Sequence, residues 1–254
     1  MKKPDLQSVK ELLDSKVIEY NNRRFIADDP ICIPHMFTRK NDIEIAALFA
    51  ATIAWGNRKS IIKNATQLME MMDNDPYTYV VESTKSDLKR LSKFVHRTFN
   101  GDDAIDFVLA LKKVFKKYNS LEELFIVKGD AMKRIEHFRE IYIKGFSSSH
   151  ALKHVSNPAA GSAAKRLNMY LRWMVRNDKQ GVDFGIWNKI STADLMLPLD
   201  VHTGNTARKL GLLNRKQDDA KAVEEITNVL KLFDSNDPVK YDFALFGLGV
   251  FEKF

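Results

Sequence analysis

The chain has 254 residues, of which 44% are hydrophobic, and its 40 Lys and Arg against 33 Asp and Glu give a net charge of +7. The apolar fraction excludes wholesale disorder and collagen-like structure, and the single cysteine, Cys32, excludes an internal disulfide, a cysteine-ligated zinc site and a four-cysteine iron–sulfur cluster. The positive charge permits a polyanionic partner but does not require one.

The N-terminus and the hydropathy pattern indicate where in the cell we expect the protein. No run of about 18 apolar residues occurs, so we expect no membrane span. Residues 1–5, Met-Lys-Lys-Pro-Asp, are largely charged and lack the apolar core of a signal peptide, and we therefore expect a cytoplasmic protein. Cys32 follows Ile31 and precedes Ile33 and Pro34, which favours a small buried side chain over a nucleophile.

Helical periodicity runs through most of the chain. Apolar residues recur three or four positions apart, the spacing that places them on one face of a helix. The predicted helices cover residues 6–20, 43–55, 61–72, 102–118, 132–145, 167–176, 223–233 and 241–248. The 43–55 segment is almost entirely apolar, which indicates a helix that is buried on most sides. No convincing pair of alternating strands occurs, so the predicted fold class is all-α, with roughly ten or more helices.

Four sequence signals predict helix starts. Asp75-Pro76 and Asp237-Pro238 each combine a residue that favours the N-cap with a proline at the first helical position. Ser120 and Ser191 each stand three positions before an acidic residue, which is the spacing of a capping box.

The sequence contains no low-complexity linker, and its glycines and prolines are thinly spread, so few positions suggest a domain boundary. Its length suits one large domain or two small ones. The stretch with the most linker-like composition, residues 145–150, reads Gly-Phe-Ser-Ser-Ser-His. It could separate two helical lobes or form a loop inside one domain. We therefore treat residues 1–254 as a single all-α unit, in which two lobes with a cleft between them could meet near residues 145–150.

Histidine and carboxylate side chains would have to supply any metal ligands. His150 and His154 are four positions apart and could share a helix face, but no His-Glu-x-x-His motif surrounds them and the preceding serines favour a loop. The sequence also lacks a Walker-type phosphate loop and a Gly-x-Ser-x-Gly elbow. We predict neither a metal nor another cofactor.

The most informative segment begins at residues 157–166, which read Asn-Pro-Ala-Ala-Gly-Ser-Ala-Ala-Lys-Arg. The small residues predict a tight turn that leads directly into a helix, and the backbone N–H groups at such a place favour an anion such as phosphate. Lys165, Arg172 and Arg176 are spaced so that they lie near one face of that helix. This face could contact an anionic partner, or it could be the solvated side of an amphipathic helix.

Asp200 is the candidate acid. It follows the apolar run of residues 197–199 and precedes a predicted helix. A carboxylate there could be a plain N-cap, or it could be a partly buried acid that faces a cleft and acts as a general base or electrostatic stabiliser. The pattern Pro-x-Asp-Val-His-Thr, followed by Ala-Arg-x-Leu-Gly-Leu, is more specific than any single residue.

Residues 200–203, Asp-Val-His-Thr, and residues 207–212, Ala-Arg-Lys-Leu-Gly-Leu, resemble the segment around the catalytic Asp of the helix-hairpin-helix DNA glycosylases. This superfamily includes endonuclease III-like and 8-oxoguanine DNA glycosylases. Residues 44–59 look like its early buried helix, which ends in a polar turn that probes the DNA stack and would place Asn57 near the gap between bases.

Over nearly the whole chain the sequence is similar to an uncharacterised bacterial domain-of-unknown-function family related to those glycosylases. The segments that carry this likeness are residues 161–169, 171–176, 198–203 and 242–249. The resemblance implies a two-lobed helical bundle of the helix-hairpin-helix DNA glycosylase type.

The chain departs from the glycosylase pattern in three respects. The usual hairpin reads Leu-Pro-Gly-Val-Gly-x-Lys/Gln-Thr-Ala, whereas residues 157–165 lack one of its two glycines, and Lys165 lies two positions beyond the nucleophile when Pro158 is aligned with the hairpin proline. Residues 178–191 lengthen the interval between Lys165 and Asp200, a feature that archaeal 8-oxoguanine glycosylases resemble more closely. The iron–sulfur cluster of endonuclease III-like members is impossible with one cysteine.

The resemblance implies a base-excision-repair DNA glycosylase with lyase activity, which acts as a monomer on a flipped-out base of duplex DNA. Lys165 would attack the sugar C1′ as a neutral amine and form a Schiff base, while Asp200 would stabilise the sugar cation and help to activate the amine. The residues that would contact DNA are Gly161, Ser162, Arg166, Arg172, Arg176, His202, Arg208, Asn57 and Arg58. Trp55 or Trp173 could stack on a base, although core packing is the more common role of tryptophan.

Two other functions stay open. A non-catalytic nucleic-acid-binding module that keeps the fold predicts DNA binding that weakens strongly with salt. A helical domain that binds a small molecule or a protein, with Asp200 only a cap, predicts that Asp200→Asn costs about 1 kcal/mol of stability or less and affects no activity.

Overall fold

The computed structural model describes residues 5–254 and is predominantly helical. Its α-helices are α1 (Leu6–Tyr20), α2 (Arg24–Ala27), α3 (Lys40–Thr52), α4 (Arg58–Met71), α5 (Pro76–Glu82), α6 (Lys85–Leu91), α7 (Gly101–Phe115), α8 (Ala131–Tyr142), α9 (Lys165–Val175), α10 (Val201–Lys209), α11 (Ala220–Phe233) and α12 (Tyr241–Val250). Two short antiparallel strands, β1 (Val95–His96) and β2 (Phe99–Asn100), precede α7. Within the described range, no helix combines the length and the apolar character needed to cross a membrane.

Eight of the described α-helices overlap the eight segments in which apolar periodicity predicts a helix, mostly with shifted ends, whereas α2, α5, α6 and α10 lie outside those segments. The first helix, α1, has the predicted bounds, whereas α3 begins three residues before the predicted 43–55 segment and ends three residues before its end. Helix α7 begins at Gly101 because Asn100 and Asp103 form a capping box around its first turn. The predominantly helical character expected from the sequence is therefore confirmed.

The predicted caps start different kinds of turn. Asp75 caps α5 through its side chain, with proline at the first helical position as predicted. Ser120 and Ser191 also cap through their side chains, but the elements that follow them are 3-10 helices. Asp237-Pro238 likewise starts a 3-10 turn, and α12 begins only at Tyr241. These 3-10 helices are Leu121–Phe125, Thr192–Asp194 and Pro238–Lys240.

The chain folds as two compact units. The first unit contains residues 5–25, 128–133 and 157–254, and the second contains residues 26–127 and 134–156. Residues 145–150, the linker-like stretch of the sequence, lie inside the second unit.

The first unit is built around α12, whose residues 241–245 are all buried. This helix packs against α1 and α10. Gly247 permits the close approach to α1, because a Cβ there would lie 2.1 Å from Cδ2 of Tyr20. The Phe25 ring meets the Phe243 ring edge-on, with centroids 5.1 Å apart. These contacts fix the position of α12, and therefore of the polar residues in its first turn.

The second unit has α3 in its core, where residues 42–52 are buried as the apolar run predicts. Glu44 in this helix has no exposed surface, and its carboxylate accepts hydrogen bonds from Ser120 Oγ at 2.5 Å and from Leu121 N at 3.0 Å. A buried carboxylate is tolerated when its oxygens are bonded in this way. Glu44 therefore anchors the 3-10 helix Leu121–Phe125 to α3.

Candidate functional site

Residues 157–164 form a tight turn ahead of α9. The carbonyl of Asn157 accepts hydrogen bonds from Ala160 N at 3.1 Å and from Ser162 N at 3.3 Å. Gly161 has a φ of +86°, and a Cβ built on it would meet none of the described atoms within 4 Å. The glycine is therefore required by the backbone conformation rather than by packing. The turn predicted from the small residues of this segment is present.

Ala164, the residue before α9, is also left-handed, with a φ of +47° and a ψ of +34°. A residue with a Cβ in this region costs roughly 1–2 kcal/mol, so the surrounding structure must hold it there. Ser162 Oγ accepts a hydrogen bond from Ala164 N at 3.1 Å, and the Ala164 side chain is buried. The strained turn sets the direction in which Lys165, the first residue of α9, leaves the backbone.

Asp200 is the N-cap of α10 and also faces Lys165. Its Oδ1 accepts a hydrogen bond from Thr203 N at 3.0 Å, and its Oδ2 lies 3.7 Å from Lys165 Nζ. The Lys165 side chain is 30% exposed and that of Asp200 is 24% exposed. The two residues predicted to be catalytic therefore lie together at the starts of two helices, where a ligand from solvent can reach both.

Arg172 and Arg176 of α9 do not form part of a solvent-facing basic surface, contrary to the prediction that they contact DNA. They are 3% and 2% exposed. Arg172 Nε lies 3.3 Å from Asp183 Oδ1, and its Nη1 donates to Asp242. Arg176 Nε lies 2.8 Å from Asp237 Oδ2. The face of α9 that carries both arginines points inward, because carboxylates from other parts of the first unit neutralise them there.

Asp183 lies between the two arginines. Its second oxygen, Oδ2, lies 3.0 Å from Arg176 Nη1, and the same nitrogen lies 2.7 Å from Asp178 Oδ2. Both aspartates belong to residues 178–191, an irregular segment that follows α9. The Phe243 ring faces the guanidinium of Arg172 at 4.4 Å and thus adds a cation–π contact. This irregular segment therefore helps to hold α9 in place through Asp178 and Asp183.

Asp242 is a further carboxylate at this site. It lies in the first turn of α12, is buried and accepts a hydrogen bond from Arg172. Burial raises the pKa of Asp242 to about 6, although the positive charge of Arg172 acts to lower it. The charge of Asp200 also raises this pKa, and the charge of Lys165 lowers it. A carboxyl group that titrates near neutral pH is suited to proton transfer. We therefore include Asp242, with its partner Arg172, beside Lys165 and Asp200 in the candidate site, because the charges of both residues act on its carboxyl group.

Asp242 is expected to make stability depend on pH. Because its pKa of about 6 in the folded protein lies above the ordinary 3.8, the native state binds this proton more tightly than the unfolded chain does. The contribution of this proton to the free energy of unfolding is fully present below about pH 4. It is lost as the pH rises through 6, and the total loss is roughly 3 kcal/mol.

Urea unfolding between pH 4 and pH 7 checks this expectation. We expect Asp242→Asn, which cannot titrate, to lack this fall in the free energy of unfolding. The same substitution at the exposed Asp102 is the matched control and is expected to follow the wild-type pH dependence. Parallel curves for the wild type and Asp242→Asn would contradict the assignment.

A family model described as a protein of unknown function, DUF2400, matches residues 29–251. The chain belongs to the DUF2400 family. The membership confirms the expected likeness to an uncharacterised family, whereas nothing in the match links DUF2400 to the helix-hairpin-helix glycosylases. Neither the curated proteins nor the solved structures gave a match. All three residues of the candidate site, Lys165, Asp200 and Asp242, lie within the part of the chain that the DUF2400 model covers.

The other residues of the first unit that were predicted to contact DNA are Gly161, Ser162, Arg166, His202 and Arg208. Gly161 and His202 are exposed, and the rest are half-buried. Burial lowers the pKa of Arg166 to about 10, so its guanidinium still carries a charge at neutral pH. Arg208 Nη2 lies 2.5 Å from Asp218 Oδ1, which offsets much of the Arg208 charge. The basic character of this surface is therefore weaker than the sequence suggests.

A cavity of about 320 Å³ lies beside α10. Its lining residues are His202, Asn205, Thr206, Arg208, Lys209, Gly249 and Phe254. This lining includes neither Lys165 nor Asp200, so the cavity is distinct from the candidate site.

Asn57 and Arg58 belong to the second unit, at the start of α4. Asn57 is exposed and caps this helix through its side chain, which is a sufficient structural reason for an asparagine at this position. Trp55, two residues earlier, is half-buried and stacks on His154 with ring centroids 5.8 Å apart. Trp173 has no exposed surface, so it is a core residue and the idea that it stacks on a base is wrong.

Cys32 is half-buried in the second unit. Burial raises the pKa of its thiol to about 11, and the nearby charge of Asp29 acts in the same direction. The thiol therefore stays protonated at neutral pH, as expected for a cysteine that packs rather than reacts.

Asp183 and Asp242 are not among the residues predicted from the sequence. The sequence does contain a signal that could have identified Asp242, since this charged residue directly precedes the apolar run of residues 243–248. A carboxylate in such a run requires a buried partner. Asp183 stands in an irregular polar segment, where no comparable pattern distinguishes it.

Proposed function

We propose that this protein is a DNA glycosylase with lyase activity that acts on a damaged base in duplex DNA. The observation that carries the proposal is the 3.7 Å approach of Lys165 Nζ to Asp200 Oδ2, with both side chains open to solvent. Chemistry at a sugar carbon needs a nucleophile and a group that stabilises positive charge, and this pair supplies both. The likeness of residues 200–212 to the glycosylase motif is further support.

In the proposed reaction, Asp200 accepts a proton from the Lys165 ammonium group, and the neutral amine attacks C1′ of the flipped-out nucleotide. The bond between C1′ and the base breaks, and the base leaves with the electron pair and takes up the proton that Asp200 had accepted, which restores the Asp200 carboxylate. The Asp200 carboxylate stabilises the positive charge that develops on the sugar. The C1′–O4′ bond then breaks, O4′ takes up a proton from the bound amine, and the open sugar is left joined to Lys165 as a Schiff base. Asp242 adds a second carboxyl group that can hold a proton near neutral pH.

The proposal assigns DNA binding mainly to contacts with phosphates. In the first unit, the exposed turn at Gly161, the start of α9 and the Arg166 guanidinium would provide them, together with His202. Asn57 and Arg58 are proposed to contact DNA from the second unit. We propose a cytoplasmic monomer for this role, with no cofactor.

Base release tests the proposal. Duplexes that each carry one lesion, including 8-oxoguanine and uracil, are incubated with the wild type, Lys165→Gln and Lys221→Ala, and base release and strand cleavage are measured. We expect release from at least one duplex and a loss of at least about 10²-fold in Lys165→Gln. Lys221 is exposed on α11, so its replacement is the matched control for losing one lysine. Processing by Lys165→Gln at the wild-type rate would contradict the proposal.

The salt dependence of DNA binding separates the proposed enzyme from a non-catalytic module. If no lesion is processed while binding weakens steeply with salt, by a logarithmic slope of about −0.9 per phosphate contact, the protein binds DNA without this chemistry. The exposed turn at Gly161 would serve that function equally well. A flat salt response without base release would exclude both functions.

A further inference from the structure

Three side chains of the second unit converge on a second polar cluster, which we define as the Asp103 cluster: Asp103, His150 and His154. Asp103 Oδ1 lies 2.7 Å from His150 Nδ1, and Asp103 Oδ2 lies 3.2 Å from His154 Nε2. The ligand atoms of all three residues lie within 4.8 Å of one another. This cluster takes no part in the reaction proposed for the first unit.

We propose that the Asp103 cluster binds a divalent transition-metal ion such as Zn²⁺. Two imidazole nitrogens and one carboxylate oxygen form a donor set that suits Zn²⁺ and related ions. Bonds of 2.0–2.1 Å in a tetrahedral site place neighbouring ligand atoms about 3.3 Å apart. The distances of 2.7 and 3.2 Å run to different oxygens of Asp103, but one oxygen of Asp103 and one nitrogen of each histidine all lie within 4.8 Å of one another, so side-chain shifts can bring them around one ion.

The cluster is held by its surroundings. Asp103 is 1% exposed and belongs to the capping box of α7, where its Oδ2 accepts a hydrogen bond from Asn100 N at 2.9 Å. The His154 ring stacks on Trp55 and meets Phe99 edge-on, with centroids 5.0 Å apart in the second contact. Ligands that are oriented by neighbouring groups in this way lose little freedom when a metal binds.

One side of the cluster is open. The His150 side chain is 44% exposed, whereas Asp103 and His154 are buried, so an ion held by all three would face solvent on the His150 side. Three protein ligands with a fourth position open to water are the arrangement of catalytic rather than structural zinc sites. Lys153 Nζ, 2.5 Å from His150 Nε2, is on an exposed side chain that can turn away into solvent.

Zinc binding to untagged full-length protein tests this site, by competition with a chromogenic chelator. We expect the wild type to bind one equivalent of Zn²⁺ at micromolar concentration and His150→Ala to bind at least about tenfold more weakly, since loss of a supporting residue alone costs 10- to 100-fold. Asp103→Asn is expected to weaken binding similarly. His35→Ala removes a histidine outside the cluster and is expected to bind as the wild type does.

Two results would overturn the inference. One is a wild-type protein that holds no stoichiometric Zn²⁺ at micromolar concentration. The other is a His150→Ala protein, shown to be folded by its thermal melt, that binds Zn²⁺ as tightly as the wild type. Neither outcome bears on Lys165 and Asp200, so the metal site and the proposed glycosylase activity fail independently.

Discussion

Replacing Asp200 with Asn is expected to lower the rate of base release by roughly 10²–10⁴-fold, while the free energy of unfolding changes by about 1 kcal/mol or less. The two effects separate because the two oxygens of Asp200 act differently. Oδ1 caps α10 by accepting from Thr203 N, which the Asn side-chain oxygen can also do. Oδ2 faces Lys165, where the neutral amide supplies no negative charge.

Asp200→Ala completes this comparison, because it removes the cap as well as the charge. We expect it to lose activity as Asp200→Asn does and, in addition, to lose about 1 kcal/mol of stability. Single-turnover rates and urea unfolding on the same preparations measure both quantities. If Asp200→Asn kept the wild-type rate, Asp200 would be only a helix cap and the mechanism would be wrong.

Replacing Arg176 with Met is expected to cost about 3–5 kcal/mol of stability, the usual penalty for leaving buried charges without their partner. Arg176 is 2% exposed, and its guanidinium lies within 3.0 Å of carboxylate oxygens of Asp178, Asp183 and Asp237. The methionine fills a similar volume, so the loss measures mainly the three carboxylates that remain.

Chemical denaturation of Arg176→Met, the wild type and Lys221→Ala measures this effect. The lysine is exposed, so its replacement is expected to stay within about 0.5 kcal/mol of the wild type. If Arg176 instead lay on a solvated DNA-binding face, Arg176→Met would be as stable as the control and would only weaken DNA binding. That result would contradict the inward orientation of this face of α9.

The helices could be predicted because their signals are local. The almost entirely apolar run in α3 indicates a helix that is buried on most sides, and the periodic pattern of α1 indicates a helix with one buried face. The cap of α5 is likewise written in Asp75-Pro76. These signals do not show whether a cap starts an α-helix or a 3-10 helix. Ser120 and Ser191 each accept a hydrogen bond from a backbone N–H of the following turn, as the cap of α5 does, yet 3-10 helices follow them.

The pairing of Lys165 with Asp200 could be anticipated only through the motif around Asp200, because the two residues are 35 positions apart. The burial of Arg172 and Arg176 could not be anticipated. Their spacing shows that they share a face of α9, but a polar face can turn outward to water or inward to carboxylates. Here Asp183, which comes from an irregular segment, turns it inward.

The position of Lys165 at the start of α9 depends on backbone geometry that residue type does not reveal. Ala164 adopts a left-handed conformation that usually selects glycine, so its sequence predicts the opposite of what the structure contains. Such strain is found where the surrounding structure over-determines the backbone, often at functional sites.

The proposed mechanism requires a covalent bond between the Lys165 amine and the sugar. Borohydride reduction during incubation with damaged duplex DNA, followed by peptide mass spectrometry of the trapped complex, tests it most directly. The mechanism predicts one covalent adduct, on the peptide that contains Lys165, and no adduct in Lys165→Gln. A trapped adduct on a different lysine, or none on any lesion that the protein processes, would contradict it.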